Sequence, residues 1–262
     1  MVEIAISLAI IGIALVAIIG VLPIGMNTQR DNREETIINQ DATILMGAIR
    51  NGTRGLDDLT NYVYAITNYW TYYPPPSGGA TNIGVNGCNY LPNPSIAAGY
   101  YSTFGSPLTN GFNIIGLLST PEFTDRYGNP TNNLLLGGYS NHVVAYVRSI
   151  SGPAVEKPPQ DNPLIQSDSF GYRVLCVNAP VAMDTNTFNL PFSQQSYTRQ
   201  LAANLHEVRL TFLWPQLPNG SLGPGRQTFR TMVAGQIVTN NVAGQILYFY
   251  QPQSFTSVPN AP

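Results

Sequence analysis

A chain of 262 residues with 44% hydrophobic content can bury one sizeable core, alone or with one extended element beside it. Only 10% of the residues are charged, against roughly 25% in typical globular chains, and Lys157 is the single lysine. The net charge of −2 and the lack of a basic tract exclude the electrostatic footprint of a nucleic-acid binder, in which clustered Lys and Arg neutralise phosphates. Polarity comes from Asn, Gln, Ser and Thr, and 24 Gly with 21 Pro imply long loops and turns. Cys88 and Cys176 permit one disulfide in an oxidising compartment or stay as two buried thiols; spacing does not decide between them.

Residues 4–26 hold one polar side chain, Ser7. As a helix rising ~1.5 Å per residue they reach ~35 Å, enough to cross a hydrocarbon core of ~30 Å. A secretory signal peptide fits poorly, because Met1-Val2-Glu3 is not a basic leader and no small-residue cleavage site follows. A buried globular helix is rarely apolar on every face for so long. A simple membrane anchor remains a rival. Glu3 separates these readings, since a carboxylate at the edge of an apolar run is costly to bury unpaired. Its natural partner is the α-amino group of a neighbouring copy, at Met1 or whichever residue begins the mature chain. Such a pair neutralises both charges and fixes the axial stagger between helices.

The stretch from Met1 to Gly20, a glutamate followed by an aliphatic run with sparse glycines, resembles the start of a mature type IV pilin or pseudopilin. The resemblance implies that Glu3 binds the N-terminal amine of an adjacent subunit. It also implies a prepilin peptidase that removes a leader, a pilus assembly machine that extracts subunits, and an inner-membrane precursor. In that family the glutamate stands fifth in the mature chain, whereas here it is third. The expectation is therefore that two residues precede Met1. Gly20, Pro23 and Gly25 interrupt the run, and Pro23 has no N–H to bond the carbonyl of Ile19. Family members often lose helical order near such a proline, so residues 18–27 are expected to unwind or bend.

Beyond Met26 the pattern turns amphipathic. Ile37, Ile38, Ala42, Ile44, Leu45, Ala48 and Ile49 recur at helical spacing, with Arg33, Glu34, Asn39, Gln40 and Arg50 on the other side. Asn51-Gly52 is a good helix stop. The predicted organisation is a hydrophobic helix over 1–27, an amphipathic half over 28–52, and a β-rich domain over 53–262 that begins with a short helix near 56–67. Asp57-Asp58 suits the start of that helix, where the dipole favours acids. Residues 72–79 and much of 80–140 read as loops. Strands are predicted over 142–150, 171–177, 207–214, 228–233 and 246–250, with Tyr172, Val174 and Cys176 on one face and Val208, Leu210, Phe212 and Trp214 on another. Residues 215–225 form a hairpin loop. Strands without interleaved helices argue for an antiparallel sheet and an α+β fold, which the resemblance lays over the amphipathic half of the long helix.

The stretch from His206 to Pro215, followed by Gly225 to Thr231, also resembles a paired-strand signature of some large bacterial pseudopilins. No chemistry attaches to it. Glu207, Arg209, Arg226 and Arg230 either pair across strands or form a solvated sheet face. The two histidines, His142 and His206, lie in strand patterns away from any nucleophile motif. No metal-ligand spacing, phosphate loop or dinucleotide fingerprint occurs, so neither a catalytic residue, nor a metal, nor a cofactor is expected. Asn51-Gly52-Thr53 and Asn219-Gly220-Ser221 match a glycosylation pattern that arises often by chance in an Asn-rich chain.

Three functions follow as expectations. The first is a helical homopolymer on the cell surface, built by packing of residues 4–26. The second is a secretion-system pseudopilin, which shares nearly every feature. The third is a membrane-anchored extracytoplasmic binding protein or enzyme, which would be indifferent to Glu3→Ala.

Overall fold

The computed structural model describes residues 2–52, 56–75, 85–90, 108, 110–131, 137–153, 170–181, 191–217, 219–242 and 245–257. The chain divides into two compact units, Met1–Gln40 and Asp41–Pro262. The fold is α+β, with a 50-residue helix α1 (Val2–Asn51) at the front and an antiparallel sheet behind it in the chain.

α1 runs unbroken through Pro23, so the expected unwinding at Gly20, Pro23 and Gly25 is absent from the single chain. One missing N–H removes one bond of the ladder, and the long aliphatic neighbours on both sides propagate the helix past it. Thr28 Oγ1 donates to the carbonyl of Ile24 at 2.9 Å just beyond. The helix ends where the sequence says it should. Gly52 takes φ +54° and its N–H bonds the carbonyl of Ile49 at 3.1 Å. A side chain there would strain the backbone and bring Cβ to 2.3 Å from the carbonyl oxygen of Tyr250.

In the second unit, a single turn of helix α2 (Leu59–Tyr62) leads into β1 (Val63–Tyr73). The helix expected over 56–67 is thus cut short. Leu59, Val63 and Ile66 share a helical spacing, but Val63, Ile66 and Thr67 are β-branched and pair with a neighbouring strand instead. Asp57 serves the start of α2 through its backbone carbonyl, which accepts the N–H of Thr60 at 3.1 Å, while its side chain serves another helix. Its Oδ1 accepts the N–H of Gly111 at 3.0 Å, at the first residue of α3 (Gly111–Leu118), which Asn110 caps through Asn113 N at 2.8 Å. α3 falls in a stretch expected to be loop. It is buried nearly all round, and Phe112 stacks on Phe249 at 4.2 Å.

The remaining elements are β2 (Val85–Tyr90), β3 (Phe123–Asp125), β4 (Gly138–Arg148), β5 (Gly171–Pro180), α4 (Phe192–Asn204), β6 (Leu205–Gln216), β7 (Leu222–Ala234), β8 (Gln236–Val242) and β9 (Gln245–Gln251). The main sheet has the order β2-β1-β4-β5-β6-β7, every pair antiparallel, with β3 added against β4; β8 and β9 form a separate hairpin. The alternation predicted for β5 and β6 holds: Tyr172, Val174, Cys176, Val208, Leu210 and Phe212 are all buried, while Trp214 is half-buried. Strand pairing stacks these residues in cross-strand rows, Ile66–Ala145–Val174–Phe212 and Asn68–Val143–Cys176–Leu210–Phe229. Aromatic contacts bind the rows together, with Tyr172 and Phe229 each 5.4 Å from Phe212. The predicted hairpin between β6 and β7 is present, but its strands extend into residues 215–216 and 222–225, leaving a shorter turn.

Candidate assembly surface

Residues 2–33 of α1 are exposed throughout. Fifteen large aliphatic side chains from Val2 to Met26 each keep 53–73% of their surface in contact with solvent. They point to every side of the helix, so no stripe is set aside for a core. Soluble monomers rarely carry contiguous apolar patches above a few hundred Å². Burying each such side chain is worth roughly 1.5–3 kcal/mol, so together they represent tens of kcal/mol of unmet burial. The segment is long and apolar enough to cross a membrane, with a mean hydropathy of 3.0.

The polar groups in the segment are few and self-contained. Ser7 Oγ donates to the carbonyl of Ile4 at 3.0 Å, which leaves the hydroxyl hydrogen bonded within its own helix. The α-helical backbone meets its remaining donors and acceptors internally. Glu3 is the only ionisable side chain before Arg30, and it lies in the first turn of α1. Among the described residues no ion pair to Glu3 is present. Met1 lies outside them. Further along, Arg30 Nε and Glu34 Oε1 form an i,i+4 pair at 2.8 Å, and Glu34, placed on the polar side by its spacing, is 9% exposed.

A second feature, missed in the sequence, anchors the end of α1 within the compact unit. Asp41 is fully buried, on the same stripe as Ala42, Leu45, Ala48 and Ile49. Its carboxylate accepts the N–H of Ile150 at 2.9 Å, the N–H of Ser151 at 2.8 Å, the hydroxyl of Ser151, and the hydroxyl of Tyr172 at 2.7 Å. Four donors, three from the turn that follows β4 and one from β5, thus satisfy both oxygens. Burial first, and then the charge of Asp41, pushes the Tyr172 phenol well above its ordinary pKa and keeps it a donor. The available signal was a carboxylate at i+3 from Ile38 and i−4 from Leu45, inside an apolar stripe. Such a residue must find partners or not be buried.

The remaining sequence candidates separate in space. Cys88 pairs with Asn68, Asn68 with Val143, and Val143 with Cys176, so the two cysteines sit three strands apart in one row. At ~4.8 Å between strands the gap is about 14 Å, twice what a disulfide spans. The bridge considered between Cys88 and Cys176 is therefore corrected: Cys176 is a free, buried thiol, its pKa raised to about 12 by burial. His142 is exposed on β4, and His206 is buried at the start of β6. Glu207 lies between Arg209 at 3.4 Å and Arg230 at 4.0 Å, a loose and partly solvated group on the outer face of the sheet. Among the described residues no three His, Cys, Asp or Glu side chains converge as a metal site would require. Comparison with known protein families, curated proteins and solved structures returns no match for this chain.

Proposed function

We propose that the chain is a structural subunit of a type IV pilus-like filament, in which residues 4–26 pack against the same residues of neighbouring copies. The observation that carries this reading is the exposure of fifteen large aliphatic side chains on all sides of one helix, with a lone carboxylate, Glu3, at its front. An all-round apolar surface suits a bundle core, where each helix is surrounded by others like it. Glu3 accepts the α-ammonium of an adjacent copy and sets the axial shift between subunits. Before assembly the same segment resides in the inner membrane, and the assembly machinery and a prepilin peptidase act on it there, as the resemblance of residues 1–20 implies. The compact unit then faces outward, on the cell surface.

The test is electron microscopy of material sheared from cells that make the chain, with and without Glu3→Ala. Fibres containing the wild-type chain, lost in the variant, support the reading. Wild-type chains found singly in lipid, with no fibre and no effect of the substitution, sink it and favour a membrane anchor.

A further inference from the structure

The chain holds two Asn-x-Ser/Thr triplets, Asn51-Gly52-Thr53 and Asn219-Gly220-Ser221, and their sequences offer no way to choose between them. The fold separates them. Asn51 is exposed, but it is the last residue of α1, and Gly52 behind it lies so close to the Tyr250 carbonyl that no Cβ would fit. A transferase must draw its acceptor into a cleft of its own, and that end of the helix is packed in place. Asn219 instead lies in the turn between β6 and β7, where Leu217, Asn219 and Ser221 are all exposed. Exposed tips are where enzymes reach a folded chain most readily. The turn is built around the triplet. Leu217 N–H donates to the Ser221 carbonyl at 2.9 Å, and Gly220 N–H donates to the Leu217 carbonyl at 2.8 Å. Gly220 takes φ +81°, which glycine adopts without strain, and Arg173 donates to its carbonyl.

Within this frame Asn219 Oδ1 accepts both the N–H of Ser221 at 2.9 Å and the Ser221 hydroxyl at 2.7 Å. An amide nitrogen is a weak nucleophile, because its lone pair is shared with the carbonyl. Two donors on Oδ1 stabilise the negative charge that builds there as Nδ2 gives up a proton, so this amide is the easier one to activate. We infer that Asn219 carries an N-linked oligosaccharide, transferred from a lipid pyrophosphate donor. Nδ2 attacks the anomeric carbon of the donor and loses one proton to a base of the transferase. The C–N bond forms as the C–O bond to pyrophosphate breaks, and the lipid pyrophosphate leaves with the electron pair. The inference rests on the outward placement of the compact unit proposed above, since the acceptor must meet the sugar outside the cytoplasm. With only 10% of residues charged, a hydrated glycan supplies solubility that charge does not.

The test is tandem mass spectrometry of the full chain isolated from the cells that make it, with protease shaving of intact cells in parallel. Trypsin releases Leu210–Arg226, in which Asn219 is the one asparagine. That peptide is expected to carry the added mass of an oligosaccharide, placed on Asn219 by fragmentation. Asn219→Gln and Ser221→Ala should lose the mass and Ser221→Thr should keep it. All three should unfold close to the wild-type temperature, because the turn is exposed. An unmodified wild-type peptide, or a mass that survives Asn219→Gln, overturns the assignment. If the unmodified peptide is shaved from intact cells, the modification alone fails; if it is protected from the protease, the outward placement fails with it.

Discussion

The two units of this chain solve the problem of apolar side chains in opposite ways. In the compact unit, aliphatic and aromatic groups are hidden in cross-strand rows, and Asp41, the one buried carboxylate among its described residues, is met by four donors. In the front of α1, fifteen large aliphatic groups are left uncovered and only Glu3 carries charge before Arg30. The first arrangement is complete within one chain. The second is complete only in an apolar environment supplied from outside, either lipid or other copies. Stability of the one and assembly of the other should therefore respond to separate substitutions.

The largest effect is expected at the front. In the proposed filament, Glu3→Ala would strand the amine of a neighbour in an apolar bundle at a cost of ~3–5 kcal/mol per contact. Fibre yield counted by electron microscopy should fall by a factor of a hundred or more, while the thermal unfolding of the compact unit is unchanged. A fall in both would break the separation. Asp41→Ala should do the reverse. It leaves the Ile150 and Ser151 amides and two hydroxyls without their acceptor, and urea denaturation should show a loss of ~3–5 kcal/mol in the compact unit. Asp41→Asn should recover only part, because an amide presents a donor where the carboxylate presents a second acceptor.

The third effect is a pH dependence confined to the compact unit. Unfolded, His206 takes up a proton near its ordinary 6.5; folded, it resists until about 4. The unfolded state thus binds more protons between these values. Stability is intact above 6.5 and falls as pH drops toward 4, by roughly 3 kcal/mol in all. His206→Phe should flatten that part of the profile in urea titrations at pH 7.5 and 4.5. The smallest effect is at the cysteines. With no bridge between Cys88 and Cys176, a reducing agent should leave the unfolding temperature within about 1 °C. Iodoacetamide should modify Cys176 only after denaturation, because the thiol is buried and kept protonated.

What the sequence revealed follows the same divide. The front of α1 was readable residue by residue because its signal is contiguous: an aliphatic run, one glutamate, and a Gly stop at 52. The strands β4, β5, β6, β7 and β9 were readable because alternation is local too. Asp41 was not, because its partners lie 109 to 131 residues away and nothing near it in sequence announces them. α3 was missed for a related reason. A helix buried on nearly every face has no polar stripe, and its Gly and Asn residues suggest a loop. The first residues of β1, 63–67, read as the end of a helix until β4 pairs with them, an instance of tertiary context overriding local spacing. β8, with the sequence Gln-Ile-Val-Thr-Asn-Asn-Val, and the polar α4 carry weak patterns, and the fold alone places them.

The bond from Ser7 to the carbonyl of Ile4 has a thermodynamic corollary. An apolar segment whose one hydroxyl is already engaged has no side-chain donor to dehydrate when its surroundings change from acyl chains to protein. The exchange is then close to isoenergetic over residues 4–26, and its direction is decided by whatever acts at the ends. Such a segment can travel between two greasy environments in either direction.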